Sequence, residues 1–420
     1  MEKIRTPTIS NLCPYPMKPS LISVQEADGL LAAFQDLLPI EEISLKDASG
    51  RILREAIRAD REYPALDRSR MDGIAIAFAA WEMGIRDFPV GGMARAGDVR
   101  GRLDDAAGCV EIMTGAPCPE GADTVIPYEA LKIENGVASV GQEATVAQGQ
   151  FLHFRGSDCA LGEVLVESGL RLNAARVAAA ASMGYARIKV TRRPRIAVVT
   201  TGDELVGVEA VPLPHQVRAS NGLALCALLE GLGSVRVDSV GDDPGALRAR
   251  LEASLEECDV LLVTGGVSAG KFDEVPSVLE SLGVEKIFHK VAQKPGKPLW
   301  FGRGPQGWLV FGLPGNPVSA LVCARRYVVP LLHAQSGIER TERAGSSPKP
   351  VERVRFSGTF PAPSKLTQFL PVRLVDSVAI PCPVNGSGDF TGLGRSDGFV
   401  EIPPQLVPEG ELLSLFGWET

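Results

Sequence analysis

The sequence predicts a multidomain chain of mixed α/β and β architecture, and three observations carry that expectation. The chain has 420 residues, more than one hydrophobic core usually serves, so two to four domains follow. From Arg195 onward, apolar runs ending in polar or glycine-rich turns alternate with segments of helical spacing, which is the rhythm of a parallel α/β sheet. Between Glu41 and about Gly169, and again after the polar linker "IERTERAGSSPKP", short apolar pieces are broken by glycine and proline and read as β domains.

Taken in order, the Pro-rich leader up to Ser20 is followed by "SVQEADGLLAAFQDLLP", in which Ser23 and Glu26 form a capping box. Leu30, Leu31, Phe34, Leu37 and Leu38 continue at helical spacing, which predicts one helix stopped by Pro39. "GIAIAF", "TVIPYE" and "GVASV" are strands of the β-rich region, and "NAARVAAAASMG" is a helix with Asn173 as N-cap and Gly184 as its end. "RIAVVTTGDE", "VRVDSVGDD" and "DVLLVTGGVSAG" are strands running into turns. Helices between them present Leu225, Leu228, Leu229 and Leu232, then Leu247, Leu251 and Leu255, then Val275, Val278, Leu279 and Leu282. A last helix, "NPVSALVCARRYVVPLLHAQSG", precedes the linker and the C-terminal β region.

Composition excludes several functions. Hydrophobic residues are 45% and charged residues 22%, as in ordinary folded proteins. The net charge of -8 opposes broad nucleic-acid binding, so any anionic ligand has to be met locally. The leader has no apolar h-region, and no segment reaches the ~20 apolar residues that span a bilayer, which predicts a cytoplasmic protein without a membrane partner. Cys13, Cys109, Cys118, Cys159, Cys226, Cys258, Cys323 and Cys382 include no CxxC pair and read as free thiols. His153, His215, His289 and His333 show no HExxH spacing, and no nucleophile elbow is present.

The chemistry-bearing stretches lie at strand ends. In open α/β sheets ligands bind outside the carboxyl ends of the strands, and those ends carry Asp203, Glu204, Asp242, Asp243 and Asp273. "TTGDEL" fits either carboxylates facing a metal or a reacting proton, or a capped turn. Several acidic groups on one rim repel each other, so a cation is expected there. "GGVSAG", with Gly265, Gly266, Ser268 and Gly270, fits either backbone N–H groups brought close to a phosphate or a tight turn alone. "KPGKP" sets Lys294 and Lys297 around a bend, either an oxyanion site or a solvated basic turn. "GLPGNPVS" holds Pro314 and places Ser319 on a first helical turn, either an anion-facing helix start or a structural joint. Upstream, "LDRSRMDGIAI" and "IMTGAPCPEGADTVIPYE" supply Asp67, Asp72 and Thr114 in polar turns.

In this order, "RMDGIAI", "IMTGAPCPEGAD", "TTGDEL", "ASN", "VTGGVSAGKFD", "KPGKP" and "GLPGNPVSA" resemble the molybdopterin molybdenumtransferases, the MoeA and gephyrin E-domain family. The resemblance runs from about Ser20 to the C-terminus. It is dense from Leu66 to Glu129 and from Ile196 to Leu332, and thin beyond. It implies four parts: a discontinuous helical and extended dimerisation domain (20–53 and 158–188), an inserted β domain (54–157), a MogA-like α/β domain that binds nucleotide and molybdopterin (189–336), and a C-terminal β-barrel (346–420).

The resemblance also implies an elongated homodimer that takes adenylylated molybdopterin and molybdate, uses Mg2+, inserts molybdenum into the dithiolene and releases AMP. Apo-molybdoenzymes and the molybdopterin adenylyltransferase of the pathway are the further partners it suggests. Residue by residue, it assigns Glu204, Asp242, Ser268 and Asp273 to the nucleotide and metal site, with Asp242 and Asp273 as magnesium carboxylates. It gives Lys294 and Lys297 to molybdate and matches Ser319 to the serine after "PGNP", with Arg373 in "FLPVRL" and Ser387 in "NGSGD" aligned to an arginine and a serine of the molybdate pocket. Asp67, Thr114 and Asp158 match functional positions of the other lobe, which the family's dimer brings to the partner's α/β domain. This sequence departs from the family pattern at Arg70, where a small residue precedes "MDG", at Ile74, where a tyrosine is usual, and at Ala219, where an acidic residue precedes "SN". The stretch "FLHFRGSD" around His153 also has a thinner basic cluster. Those departures leave two other readings, a paralogue that prefers tungstate or is regulatory and a non-catalytic cofactor-binding scaffold; a rival enzyme reading, the adenylyltransferase, relies on the α/β domain alone and leaves the other three regions idle.

Overall fold

A computed structural model describes residues 21–267, 274–338, 352–360 and 365–419. The leader with its Cys13, most of the polar linker, and Ser268, Gly270 and Asp273 lie outside the described residues. The chain divides into two compact units, Glu42–Lys189 and a second made of Met1–Glu41 with Val190–Thr420. Among the described residues no helix is long and apolar enough to cross a membrane.

The Glu42–Lys189 unit is built on a six-stranded sheet in the order Thr124–Pro127, Gly73–Ile76, Cys109–Ile112, Asp87–Ala94, Val137–Val140, Leu131–Glu134. Alternation along Gly73–Ile76 sends Ile74 and Ile76 into one core with Phe88 and Ile126, and Ala75 into another with Val110 and Val125. A Cβ at Gly73 would collide with the Ile126 carbonyl, so the glycine of "MDG" is required by strand packing. The short helix Phe78–Glu82 interrupts what the sequence presents as β; its Phe78 N–H donates to Asp123 Oδ1 at 2.7 Å. The helix Ala174–Ser182 starts as expected, with Asn173 Oδ1 accepting the Arg176 N–H at 3.0 Å.

In the second unit, the capping box of Ser23 and Glu26 is closed in both directions around the helix Val24–Leu31. That helix does not continue to Leu38 as the spacing predicts. It tightens into a 3-10 turn, Ala32–Phe34, and stops. Tertiary bonds win over local periodicity here: Gln335 Nε2 donates to the Phe34 carbonyl at 3.0 Å, and the Leu38 N–H donates to the Gln335 carbonyl at 2.9 Å.

The α/β sheet has the order Ser234–Val240, Arg195–Thr201, Val260–Thr264, Leu309–Leu313, Trp300–Arg303, Glu285–His289. The first four strands are parallel, and the last two join antiparallel. Arg195–Thr201, the first strand of this sheet in chain order, thus has a parallel neighbour on each side, so its carboxyl end and those of its neighbours frame the switch-point crevice of a doubly wound sheet. Helices Ser220–Leu229, Pro244–Glu257 and Val275–Ser281 cover it, burying Leu225, Leu228, Leu229, Leu247, Leu251, Leu255, Val275, Val278 and Leu279. Leu232 lies past the end of its helix. The long helix after "PGNP" runs Pro317–Cys323, widens into a π-helical turn Ala324–Val328, and resumes as Val329–Ser336. Pro330 has no N–H to give and crowds the carbonyl four residues back, which accounts for the widened turn before it.

The C-terminal β region is a closed barrel of five strands, Glu352–Phe356, Thr367–Val375, Val378–Pro381, Gly398–Ile402 and Leu412–Gly417. Pairing of Thr367–Val375 with Gly398–Ile402 closes it around Val354, Phe356, Val372, Val400 and Leu415. The pair Gln293–Lys294, from the α/β region, adds to Thr367–Val375 in parallel.

At the amino end of the central strands, Asp259 accepts from Arg192 Nη1 at 2.8 Å, Arg195 Nη2 at 3.1 Å and the Arg195 N–H at 2.7 Å. Burial works to raise its pKa, but the hydrogen bonds from Arg192 and Arg195 overcome it and hold the carboxyl down at about 2 instead of 3.8. A folded pKa below the unfolded one contributes stability that is present above pH 3.8 and is lost as pH falls toward about 2. Asp259→Asn is expected to cost about 2 kcal/mol at neutral pH. The gap to wild type should close on acidification through that window, as read by urea denaturation at each pH.

Candidate active site

Asp203 and Asp242 meet where the strands Arg195–Thr201 and Ser234–Val240 end, with Glu204 next along the first turn. Asp203 Oδ1 accepts the Asp242 N–H at 3.0 Å, and the Asp203 N–H approaches Asp242 Oδ2 at 3.4 Å. The two turns are therefore laced to each other through their own carboxylates. Glu204 folds its carboxylate over Gly202, where a Cβ would stand 2.6 Å from Oε2, and Asp203 Oδ1 lies in the same way over Gly241. Asp203, Glu204 and Asp242 are all exposed. Of the two sequence readings of "TTGDEL", the capped turn is seen at Asp203, whose carboxylate takes the Asp242 N–H. Asp243 caps the helix Pro244–Glu257 through the Ala246 N–H.

The glycine turn follows the neighbouring strand. Gly265 (φ +101°) and Gly266 (φ +60°) take left-handed backbone, and a Cβ at Gly265 would stand 2.5 Å from both the Thr201 carbonyl and Thr201 Oγ1. The turn is pinned to the "PGNP" loop by Asn221, whose Nδ2 donates to Thr264 Oγ1 at 3.0 Å and to the Gly315 carbonyl at 2.7 Å. A carbonyl only accepts, so the orientation of this amide is fixed. Thr264 Oγ1 passes its own proton to the Pro314 carbonyl at 3.1 Å. Farther along the loop, Asn316 Nδ2 donates to Ser387 Oγ at 2.8 Å, and the Val318 N–H donates to the Ser387 carbonyl at 3.2 Å. Gly265, Gly266, Pro314 and Ser387 are therefore assembled at one edge.

Lys294 and Lys297 are exposed on a bend whose Gly296 (φ +86°) packs against Cys323 of the helix carrying Ser319. Ser319 itself is only 3% exposed. Arg373 is exposed on the barrel strand Thr367–Val375, opposite Ile380, and among the described residues no hydrogen bond or ion pair joins it to the other candidates. His289 is a structural contact: its Nε2 donates to the carbonyl of Val267, next to the glycine turn, at 3.1 Å, and burial lowers its pKa.

Asp67, Thr114 and Asp158 lie in the other unit, each held by a partner of its own. Pairing of Arg68–Ser69 with Leu152–His153 draws the segments together. Asp67 Oδ1 accepts the Arg155 N–H at 2.7 Å, and Arg155 also pairs with Glu62. Asp158 Oδ1 stands 2.7 Å from His153 Nε2. Thr114 donates both its N–H (2.6 Å) and its hydroxyl (2.8 Å) to Asp72 Oδ1, which holds the Asp72 carboxyl below the usual range. Of the departures from the family pattern, Ile74 is fully buried between strands, so it is a packing residue and not a substrate contact. Arg70 is exposed, and Ala219 precedes the helix Ser220–Leu229 without capping it.

Sequence reasoning did not single out Asn221, Thr264 or Asn316 as site residues, although "ASN" and "GNP" contain two of them, and it named Asp72 without its bond to Thr114. The buried thiols Cys109, Cys118, Cys258 and Cys323 have pKa values pushed up to about 12 chiefly by burial, and the seven described cysteines are free.

Fold and site together define a class: an α/β protein with a switch-point edge lined by carboxylates and glycine turns, joined to a β-barrel. Family models give that class its family. Residues 22–184 match the MoeA N-terminal region (domain I and II), 197–334 a probable molybdopterin binding domain, and 353–415 the MoeA C-terminal region (domain IV). A molybdopterin molybdenumtransferase of Synechocystis sp. is 36% identical over 408 residues, 95% of this chain and 100% of the relative. Another, from Bacillus subtilis, is 31% identical over 91% of this chain and 90% of its own length. A crystal structure of the molybdopterin biosynthesis MoeA protein from Pyrococcus horikosii superposes with a TM-score of 0.80 at 30% identity, covering 95% of this chain and all of that one. The chain belongs to the molybdopterin molybdenumtransferase (MoeA) family, as the ordered motifs imply.

Proposed function

We propose that the protein is a molybdenum cofactor biosynthesis transferase that inserts molybdenum from molybdate into adenylylated molybdopterin and releases AMP, with magnesium. The observation that carries the reading is the single edge on which outward carboxylates, a left-handed glycine turn and the "PGNP" loop are laced together. A phosphoanhydride and an oxyanion are both anionic, so uniting them needs local positive charge. The residues present suit magnesium. Asp242 is an exposed hard-oxygen donor, and Asp203 already spends one oxygen on a backbone N–H. Magnesium is commonly held by one or two carboxylates together with substrate phosphates.

In this reading Asp242 holds the ion with Asp273, which lies outside the described residues. Bound there, magnesium neutralises charge on the phosphate oxygens. Glu204 accepts the proton of the water that cleaves the phosphoanhydride. Gly265 and Gly266 give the phosphates room, with Ser268 and Gly270 continuing the same turn. Lys294 and Lys297 hold the oxyanion, with Arg373, Pro314, Ser387 and Ser319 shaping that pocket. Asp67, Thr114 and Asp158 serve a homodimer by facing the partner's edge. A cytoplasmic location and hand-over to apo-molybdoenzymes complete the reading.

Purified protein supplied with adenylylated molybdopterin, magnesium and either molybdate or tungstate is expected to release AMP only when an oxyanion is present. AMP release with tungstate alone would redirect the reading to tungsten. No oxyanion-dependent AMP release, with substrate still bound, would overturn it in favour of a cofactor-binding scaffold. Light scattering of the same sample should give twice the chain mass.

A further inference from the structure

Beneath the Lys294 to Lys297 bend lies a set of polar groups shut off from solvent. Gln293 and Cys323 are 0% exposed and Tyr327 is 1% exposed. Gln293 Nε2 donates to the Gly296 carbonyl at 3.2 Å and to Cys323 Sγ at 3.4 Å. Its Oε1 accepts the hydroxyl of Tyr327. The Gly296 carbonyl also takes the Leu299 N–H at 3.1 Å, and Cys323 Sγ approaches it at 3.7 Å. Both ends of a fully buried amide are thus spent, the condition under which such a group is tolerated in a core.

These contacts join three parts of the chain. Gln293 starts the two-residue strand paired with Thr367–Val375 of the barrel, Cys323 ends the helix that carries Ser319, and Tyr327 sits in the π-helical turn Ala324–Val328. No side chain can be added at Gly296, because a Cβ there would run into Cys323 Sγ and come within 2.8 Å of Gln293 Nε2. Burial holds the Tyr327 hydroxyl protonated, so it remains a donor to the amide. The bend between the two lysines is therefore gripped at its middle carbonyl from below, while the lysine side chains emerge above.

We propose that Gln293, oriented by Tyr327 and Cys323, is a positioning residue that sets the spacing at which Lys294 and Lys297 meet an oxyanion. The inference rests on the reading of those lysines as the oxyanion site. Two flexible ammonium groups hold one small anion well only if their backbones are fixed beforehand, since otherwise binding has to order the loop as well. The grip on Gly296 does that ordering during folding.

The test uses the full-length protein, equilibrium dialysis with tungstate and with molybdate, and thermal unfolding. Tyr327→Phe strands Gln293 Oε1; Gln293→Leu strands the tyrosine hydroxyl and takes the side-chain donor from the Gly296 carbonyl, which keeps the Leu299 N–H. Each is expected to lower Tm and weaken oxyanion binding on the order of tenfold. The double variant separates the roles. With both amide and hydroxyl gone, the stranded pair is removed and Tm should recover relative to Gln293→Leu. Oxyanion affinity should stay low, because the Gly296 carbonyl has still lost the Gln293 amide that ties the bend to Cys323 of the helix behind it.

In turnover the defect should appear as a raised KM for molybdate with kcat nearly kept. If affinity recovers in the double variant along with Tm, or if Tyr327→Phe and Gln293→Leu both bind oxyanion within twofold of wild type, the proposal is overturned. Lys294→Ala and Lys297→Ala distinguish the two levels. Loss of oxyanion binding in these but not in the Gln293 variants defeats positioning alone, whereas unchanged binding in the lysine variants defeats the underlying reading.

Discussion

Asp242→Asn is expected to lower the rate of AMP release by roughly 10²- to 10³-fold, the range seen when one preorganised charge-stabilising group is removed from an active site. Asp242 and Asp203 look equivalent in sequence, each following a strand and a glycine, but their surroundings differ. Asp203 Oδ1 holds the Asp242 N–H at 3.0 Å, whereas Asp242 Oδ2 has only a long 3.4 Å approach from the Asp203 N–H. One carboxylate maintains the turn and the other is available to a cation. The asparagine variant keeps the shape and the backbone N–H while removing the charge, and the site is exposed, so its stability should stay within about 0.5 kcal/mol of wild type. Asp203→Ala should do the reverse first: it frees the Asp242 N–H and costs about 1 kcal/mol. A magnesium titration of AMP release reads the difference. Asp242→Asn is expected to shift the half-saturating magnesium upward; an unchanged titration and rate would remove Asp242 from the metal role.

Much of this edge was legible in the sequence because it is local. A strand followed by glycine and carboxylate announces its own turn, and the capping box at Ser23 and the N-cap at Asn173 need only residues three apart. The contacts that convert turns into a site are of another kind. Asn221 reaches Gly315, and Asn316 reaches Ser387, across 94 and 71 residues. Gln293 and Tyr327 carry no surface signal at all, since a glutamine beside a lysine turn reads as solvated until the helix behind it is in place. The helix predicted through Leu38 fails for the same reason, because Gln335 offers Phe34 and Leu38 partners that no local pattern records. Barrel closure is likewise a pairing of Thr367–Val375 with Gly398–Ile402, whereas periodicity reports only that both are strands. Ile74 shows the converse error: a position that the family pattern makes interesting is here a core residue with 0% exposure.

Removing both lysines of the bend is expected to have the other large effect. With Lys294→Ala and Lys297→Ala combined, oxyanion-dependent AMP release should fall by roughly 10²- to 10³-fold in kcat/KM for molybdate. Binding of adenylylated molybdopterin should change by less than about threefold, because the glycine turn proposed to take the phosphates is pinned separately by Asn221 and Thr264. The physical reason is charge. The chain is net -8 and its strand-end rim is acidic, so a dianion approaching this edge meets repulsion unless cations are placed locally. Both ammonium groups are exposed, so screening should also show: wild-type affinity for tungstate is expected to weaken as sodium chloride is raised, and the double variant should lose most of that salt dependence. Arginine in place of lysine is not expected to restore the site, since a planar fork on the same bend aims its donors differently from a compact ammonium. Equal salt slopes in wild type and the double variant would mean that the oxyanion is held elsewhere on the edge, and Arg373 would be the next side chain to remove.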